Sequence, residues 1–294
     1  LKSILFAALC GVLSGCESWF DIADYCEAKR DCLSKYVSFS NGIPSGWTFR
    51  RVFTLLDPSQ MEHLLRSHAE QIISNNDTAT NQIAVDGKSI RGSDNKDFSC
   101  LHSDSAWCHE NGLVLGESEV PSKSNEITAI PIILNSLIFK DKTVSIDAAG
   151  CQKSIASPIE EKKGDYVLGL KNNHPKLLQA AMALKKDKGE NAIYRLLDAF
   201  DERHGRVVRR RYFRYDASCL PNIDKWSGAK SILAVETIPA KSNVSKSGVR
   251  TKWCYYLSSH TPNNKELPNY IRNHWGIENK LHWILDVHFK EDND

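Results

Sequence analysis

At residue 82 the chain changes its period. Before it, apolar residues recur at helical spacing; after it, they gather in short runs bounded by acids and turn residues. Ile83-Ala84-Val85 ends at Asp86, which Gly87-Lys88 follow. Thr143-Val144-Ser145-Ile146 ends at Asp147, which Ala148-Ala149-Gly150 follow. The pattern predicts strands over 83–86, 103–109 and 112–119, then a helix over 126–139 introduced by Ser124-Asn125. A buried strand over 143–148, a helix over 151–163 and a strand over 165–170 complete the run. Pro158 weakens the second helix, because proline removes a backbone donor.

Three strands, helix, strand, helix, strand is the order of an RNase H-like α/β sheet. Such a sheet carries its first aspartate on the first strand and its second on the fourth, where Asp86 and Asp147 fall. From about 171 to 262 the sequence departs from that order. It offers a helix near 176–185 and strands at 206–215, 231–238 and 253–258, a mostly β insertion within a catalytic domain spanning 82–294. Residues 1–74 read as a small all-helical domain, with helices at about 2–16, 19–36 and 47–56. Asp57-Pro58-Ser59 caps a fourth, running to about 74. The polar stretch 75–81 is its exit linker.

The segment 264–294, read as one helix, stacks His274, Glu278, His282 and Asp286 at four-residue intervals along a slowly rotating face. Trp275, Leu281 and Trp283 cover its other sides. A carboxylate among histidines and indoles makes sense if Glu278 points into a cleft and works with acids from elsewhere. Two strand-end aspartates and a helical glutamate suit two-metal phosphoryl transfer, in which ions about 4 Å apart activate the attacking oxygen and stabilise the leaving one. Magnesium takes few carboxylates plus water and phosphate oxygens. Each residue also has a plainer reading. Asp86-Gly87 is a hairpin signal, and Glu278 can pair with Lys280 or His282 on a helix surface. Asp147 is harder to dismiss, because an acid ending a buried run needs a partner or a metal. A zinc site on His274, Glu278 and His282 lacks the HExxH spacing.

The net charge of +2 decides nothing, but its distribution is uneven. Between 203 and 214 stand Arg203, His204, Arg206, Arg209, Arg210, Arg211 and Arg214, with Tyr212 and Phe213 among them. This is a candidate strip for nucleic-acid phosphates, against the plainer reading of a solvated edge strand. Lys88 and Arg91 make the turn after Asp86 basic, which would suit an approaching DNA backbone. The nine cysteines are odd in number and form no CxxC pair, so reduced thiols are expected. Lys2, the apolar run 4–13 and Leu13-Ser14-Gly15-Cys16 together look like a lipoprotein leader. Helical spacing continues past Cys16 through Trp19, Phe20, Ile22 and Tyr25, which favours a folded helix instead. No run approaches the length of a membrane span.

Across nearly its whole length the chain resembles the H-repeat-associated DDE insertion-sequence transposases. The matching stretches are GIPSGWTFRRVF (42–53), VDGKSIRGS (85–93), KSNEITAIP (123–131), SIDAAGCQKSIA (145–156), GDYVLGLKNNHP (164–175), HGRVVRRRY (204–212), YYLSSH (255–260) and IRNHWGIENKLHWILDVHFKED (271–292). The resemblance implies a helical N-terminal domain, an RNase H-like core with a β insertion, and a catalytic, metal-binding triad of Asp86, Asp147 and Glu278. It implies two Mg²⁺ or Mn²⁺ ions and double-stranded DNA as partner, at transposon ends and target. It further implies a homo-oligomer on that DNA and a cytoplasmic, nucleoid-associated bacterial protein. Lys88, Arg91, Arg206, Arg209, Arg211, Arg272 and His274 are the expected DNA contacts. The chain departs from the family pattern at Gly46-Trp47 and at Val208. It departs again at His274 and Leu285, where a related Tyr-Arg-Glu-Lys signature has Arg and Lys. The family normally continues beyond the EDN-like segment, so a truncated copy is expected, with Glu278 poorly supported and activity reduced or lost.

Overall fold

The computed structural model describes residues 1–75, 81–93, 100–120, 126–188, 194–203, 206–239 and 251–293. Five helices open the chain: α1 (Lys2–Leu13), α2 (Trp19–Ala28), α3 (Arg30–Leu33), α4 (Gly46–Leu55) and α5 (Pro58–Asn75). The starts of α2, α4 and α5 follow from capping chemistry. The Ser18 and Ser45 hydroxyls accept from the backbone N–H groups of Asp21 and Thr48, at 3.1 and 3.3 Å. Asp57 Oδ1 accepts from Ser59 N at 2.9 Å, with Pro58 opening the helix. The expected helix over 19–36 breaks at Lys29, whose φ of −110° leaves the helical range. Ala7, Ala8, Ile22, Cys26, Leu33 and Phe49 form a core of their own. The apolar run that resembled a leader thus supplies Ala7 and Ala8 to this core. No helix among the described residues is long and apolar enough to cross a membrane.

The rest is built on one nine-stranded sheet. Its strands are β1 (Gln82–Ile90), β2 (Leu101–Cys108), β3 (Leu113–Val120), β4 (Thr143–Ile146), β5 (Asp165–Leu170), β6 (Tyr194–Arg203), β7 (Arg206–Asp216), β8 (Ser231–Pro239) and β9 (Lys252–Ser258). Their order is β3-β2-β1-β4-β5-β9-β8-β7-β6. β1, β4 and β5 are parallel to their shared neighbours, and every other pairing is antiparallel. The β insertion is therefore no separate layer. β9 pairs with β5, so the insertion lengthens the core sheet. β6 was not foreseen. Helices α6 (Glu126–Ser136), α7 (Lys153–Glu161) and α8 (Pro175–Lys188) fall at the expected places. Pro158 lies inside α7 without ending it, and Ile155, Ala156 and Ile159 bury that helix's apolar face.

Alternation along the strands sorts side chains between the two faces. Ile83 and Val85 join Ala106, Cys108 and residues of α6–α8 in the main core. Ala84 and Trp107 point the other way and meet Ile277. Three segments cover that second face: α9 (Leu267–Gly276), a π-helix over Ile277–His282, and α10 (Trp283–Val287). Asp86 shares this face, being two residues from Ala84.

Candidate active site

The ladder between β1 and β4 ends at Val85 opposite Ile146, so Asp86 and Asp147 are the next residues on adjacent parallel strands. β1 itself runs on to Ile90, still paired with β2 through Asp86 and Gly87. The hairpin reading of Asp86-Gly87 is thereby excluded. Asp147 Oδ1 accepts from the backbone N–H groups of Ala149 and Gly150 at 2.8 and 3.4 Å, which folds the following loop back over the strand end. Glu278 comes from the π-helix on the same face of the sheet.

The three carboxylates lie in one another's field. Burial, then the charges of Asp147 and Glu278, push the Asp86 pKa up to about 7. Glu278 is raised by partial burial and by Asp147, and held back by Lys171. The donor set is oxygen-only, which suits a hard divalent cation, and such a cation would relieve the crowding of like charge. Among the described residues, no three His, Cys, Asp or Glu side chains are gathered closely enough to hold a metal ion as they stand.

A buried polar network joins the elements that carry the acids. Gln82 is fully buried on β1. Its amide donates to Ser145 Oγ on β4 at 2.8 Å and to the Tyr270 carbonyl on α9 at 2.7 Å. Ser145 Oγ also meets His274 Nδ1 at 3.1 Å. This corrects the expectation that His274 contacts DNA. Burial pulls its pKa down to about 4, so the ring is neutral and held inward. His282 is likewise buried, with Nδ1 3.9 Å from Asp86 Oδ2.

Other expected contacts are also reassigned. Lys88 is spoken for by Asp286 and Glu291, and its side chain is only 10% exposed. Arg91 is exposed and gives its backbone N–H to Asp292 Oδ1 at 3.1 Å. These contacts tie the segment after Glu278 to β1, whereas poor support was expected there. The arginine strip is divided between the two faces of β7. Arg209 is exposed, Arg211 pairs with the buried Glu236 across the ladder, and Arg214 is 1% exposed, donating to the Asn264 carbonyl. Arg272 is half-buried. The side chains of Arg203 and Arg206, and all of His204, lie outside the described residues. The last helix is not one regular α-helix. The π-helix bonds residues five apart, so Glu278 and His282 do not stack as i and i+4. Trp275 and Trp283 are 45% and 49% exposed, and do not shelter Glu278.

Sequence reasoning passed over Gln82, Ser145 and Lys171. The available signal was a polar residue inside a predicted buried strand for Ser145, and a polar residue immediately before one for Gln82. For Lys171 it was position, since the residue after a parallel strand faces the crevice where such sheets bind ligands.

Residues 77–294 match the family described as Transposase DDE domain, and residues 1–69 match its associated N-terminal family, DDE_Tnp_1-associated. YncI of Escherichia coli O157:H7, named as a candidate transposase, is 37% identical over 99% of this chain and 75% of its own length. YhhI of E. coli K12, named as an H repeat-associated candidate transposase, is 34% identical over 99% of this chain and 78% of its own. YbfQ of the same strain, named an inactive transposase, is 46% identical over 18% of this chain and 62% of its own. Among solved structures, a piggyBac transposase synaptic complex with hairpin DNA aligns at 12% identity with a TM-score of 0.43. That alignment covers 88% of this chain and 54% of that one. With its α/β sheet and helical N-terminal unit, and with the family match spanning most of its length, the chain belongs to the DDE transposases.

Proposed function

We propose that this transposase performs metal-dependent cleavage and strand transfer of insertion-sequence DNA, with Asp86, Asp147 and Glu278 as its catalytic acids. One observation carries the reading. Two aspartates leave adjacent parallel strands at the same level, beneath a glutamate on the helix packed over that sheet face. Asp86 and Asp147 would hold the divalent cations, with Glu278 closing on them when DNA is present. When bound, the cations neutralise phosphate charge and make water or a sugar hydroxyl a better nucleophile at neutral pH. Glu278 would complete the oxygen ligand set for the cations, and the proton of the attacking oxygen passes to solvent. The new oxygen–phosphorus bond forms as the bond to the leaving sugar oxygen breaks, and that oxygen takes a proton from solvent. In strand transfer a DNA 3′-hydroxyl replaces water. Gln82, Ser145 and His274 keep the strands and the helix in register during both steps.

The experiment is nicking of a labelled duplex in Mg²⁺ or Mn²⁺ by the wild-type chain, Asp147→Asn and Glu278→Gln. Cleavage by the wild type alone is the expected result. Equal cleavage by either variant would remove that residue from the mechanism. A second reading, a DNA-binding remnant without chemistry, draws on the three acids' not being gathered as ligands. It predicts duplex binding with wild-type cleavage at background.

A further inference from the structure

The site holds three carboxylates, and the DNA strand entering it brings more negative charge. A fixed side-chain cation facing the phosphate would add to what bound divalent cations offset. Lys88, the nearest basic residue in sequence to Asp86, is not that cation, because Asp286 and Glu291 already hold its ammonium. Lys171 has the opposite character. It is exposed, and among the described residues its ammonium makes no hydrogen bond or ion pair.

Its position is nevertheless well fixed. Lys171 is the first residue after β5, whose Leu168 pairs with Ile146 of β4, so it leaves the sheet beside Asp147. Adjacent strands lie about 4.8 Å apart. The turn that follows is pinned to the loop after Asp147. Asn173 Nδ2 donates to the Ala148 carbonyl at 2.6 Å, and His174 Nε2 meets the Cys151 carbonyl at 2.6 Å. The turn closes on itself through His174 N and the Lys171 carbonyl at 3.2 Å. At Gly169 the two backbones nearly touch. A Cβ there would stand 3.0 Å from Ala148 N and 3.2 Å from the Asp147 carbonyl carbon. The charge of Lys171 also reaches Glu278, lowering that residue's proton affinity. A rigid root beside Asp147, a flexible four-carbon stem and an exposed ammonium whose charge reaches Glu278 suit a group that meets charge arriving with a substrate.

Resting on the transposase reading, we propose that Lys171 is a catalytic residue whose ammonium contacts a non-bridging oxygen of the phosphodiester being cut. It keeps its proton throughout. Its part is to stabilise the charge that spreads over the phosphoryl oxygens as one phosphorus–oxygen bond forms and the other breaks. This role belongs to no residue of the acid triad, and it moves the active-site cation from the β1 turn to the end of β5.

Two measurements on the full chain test it. In the first, surface lysines are acetylated with a water-soluble succinimidyl ester and mapped by mass spectrometry, with and without a saturating short nicked duplex. Lys171 should react when free and be protected by DNA, while Lys88 reacts poorly in both states. Equal labelling of Lys171 with and without bound duplex would overturn the proposal, as would failure of the chain to bind duplex at all. In the second, cleavage is followed under single-turnover conditions at saturating duplex. Lys171→Ala should slow it by roughly a hundredfold, with duplex affinity changed only a few fold and Lys171→Arg recovering part of the rate. Asp147→Asn separates the failures. If it is dead while Lys171→Ala cuts like the wild type, only the Lys171 assignment falls. If Asp147→Asn cuts like the wild type, or the wild type does not cut, the transposase chemistry falls and the assignment with it.

Discussion

The side-chain amide of Gln82 reaches the hydroxyl of Ser145 at 2.8 Å, across the two strands that lead to Asp86 and Asp147. The same amide caps the Tyr270 carbonyl on the helix leading to Glu278. Replacing Gln82 with Leu removes a buried hydrogen bond from each of these two groups, although Ser145 keeps His274. The expected cost is about 1–3 kcal/mol of stability by urea unfolding. Cleavage should fall further than duplex binding, because geometry is lost while the DNA surface is kept.

His274 should make the chain acid-sensitive. Its folded pKa of about 4 lies below its ordinary value of 6.5, so the folded state favours the neutral ring. That contribution is complete above pH 6.5 and is lost as pH falls toward 4, with a ceiling of about 3 kcal/mol. Asp86 works in the opposite sense over a similar range, since its raised pKa favours the folded protein at low pH. The histidine's part is therefore read from the difference between wild type and His274→Gln in unfolding free energy between pH 7 and 4. A difference that stays flat across that range would refute it.

Arg209 and Arg211 are two residues apart and should behave differently. Arg211→Ala strands the buried Glu236 carboxylate, at a cost of about 3 kcal/mol. Arg209→Ala changes an exposed side chain, and its stability should stay within about 0.5 kcal/mol of wild type. If Arg209 faces phosphate, its loss weakens binding to all duplexes alike and flattens the salt dependence. Melting curves and filter binding over a salt series distinguish the two.

Lys88 offers a choice between holding the fold and holding DNA. As the partner of Asp286 and Glu291, its replacement by Met should speed hydrogen exchange in α10, at residues 283–287, without DNA present. Unchanged exchange with weakened duplex binding would return Lys88 to the DNA surface.

The thiols should sort by burial. Cys32 and Cys219 are exposed and should be alkylated at once in the native protein. Cys151 is buried, and burial together with the Asp147 charge pushes its pKa up to about 12. It should label only on unfolding; rapid native labelling by iodoacetamide would contradict the packing around it.

Element order was legible because it rests on period and turn chemistry. The strands before 171 and all three helices α6–α8 follow from apolar runs and breaks that a single sequence displays. Asp86 and Asp147 stood out because an acid closing a buried run is locally anomalous, and Glu278 because it sits among histidines and indoles on a helix. Long-range pairing was not readable. That Lys88 finds Asp286 across the fold, or that Arg211 finds Glu236, depends on which strands and helices become neighbours. A basic residue looks alike in sequence whether it awaits DNA or is already neutralised. The exposure of Trp275 and Trp283 was misread because large apolar rings were taken to cover the helix.

The winding of the last helix has a consequence for mutation. A π-turn accommodates one residue more than an α-turn, so Ile277–His282 absorbs that residue while α9 and α10 keep nearly the phase of one continuous helix. Deleting a single residue there would let the two helices fuse into one regular rod, with Asp286 and Glu291 still turned toward Lys88. Deleting a residue from α10 instead would rotate everything downstream by about 100° about the axis and shift it by about 1.5 Å along it. Single deletions should therefore be better tolerated within these six positions than in the helix that follows them.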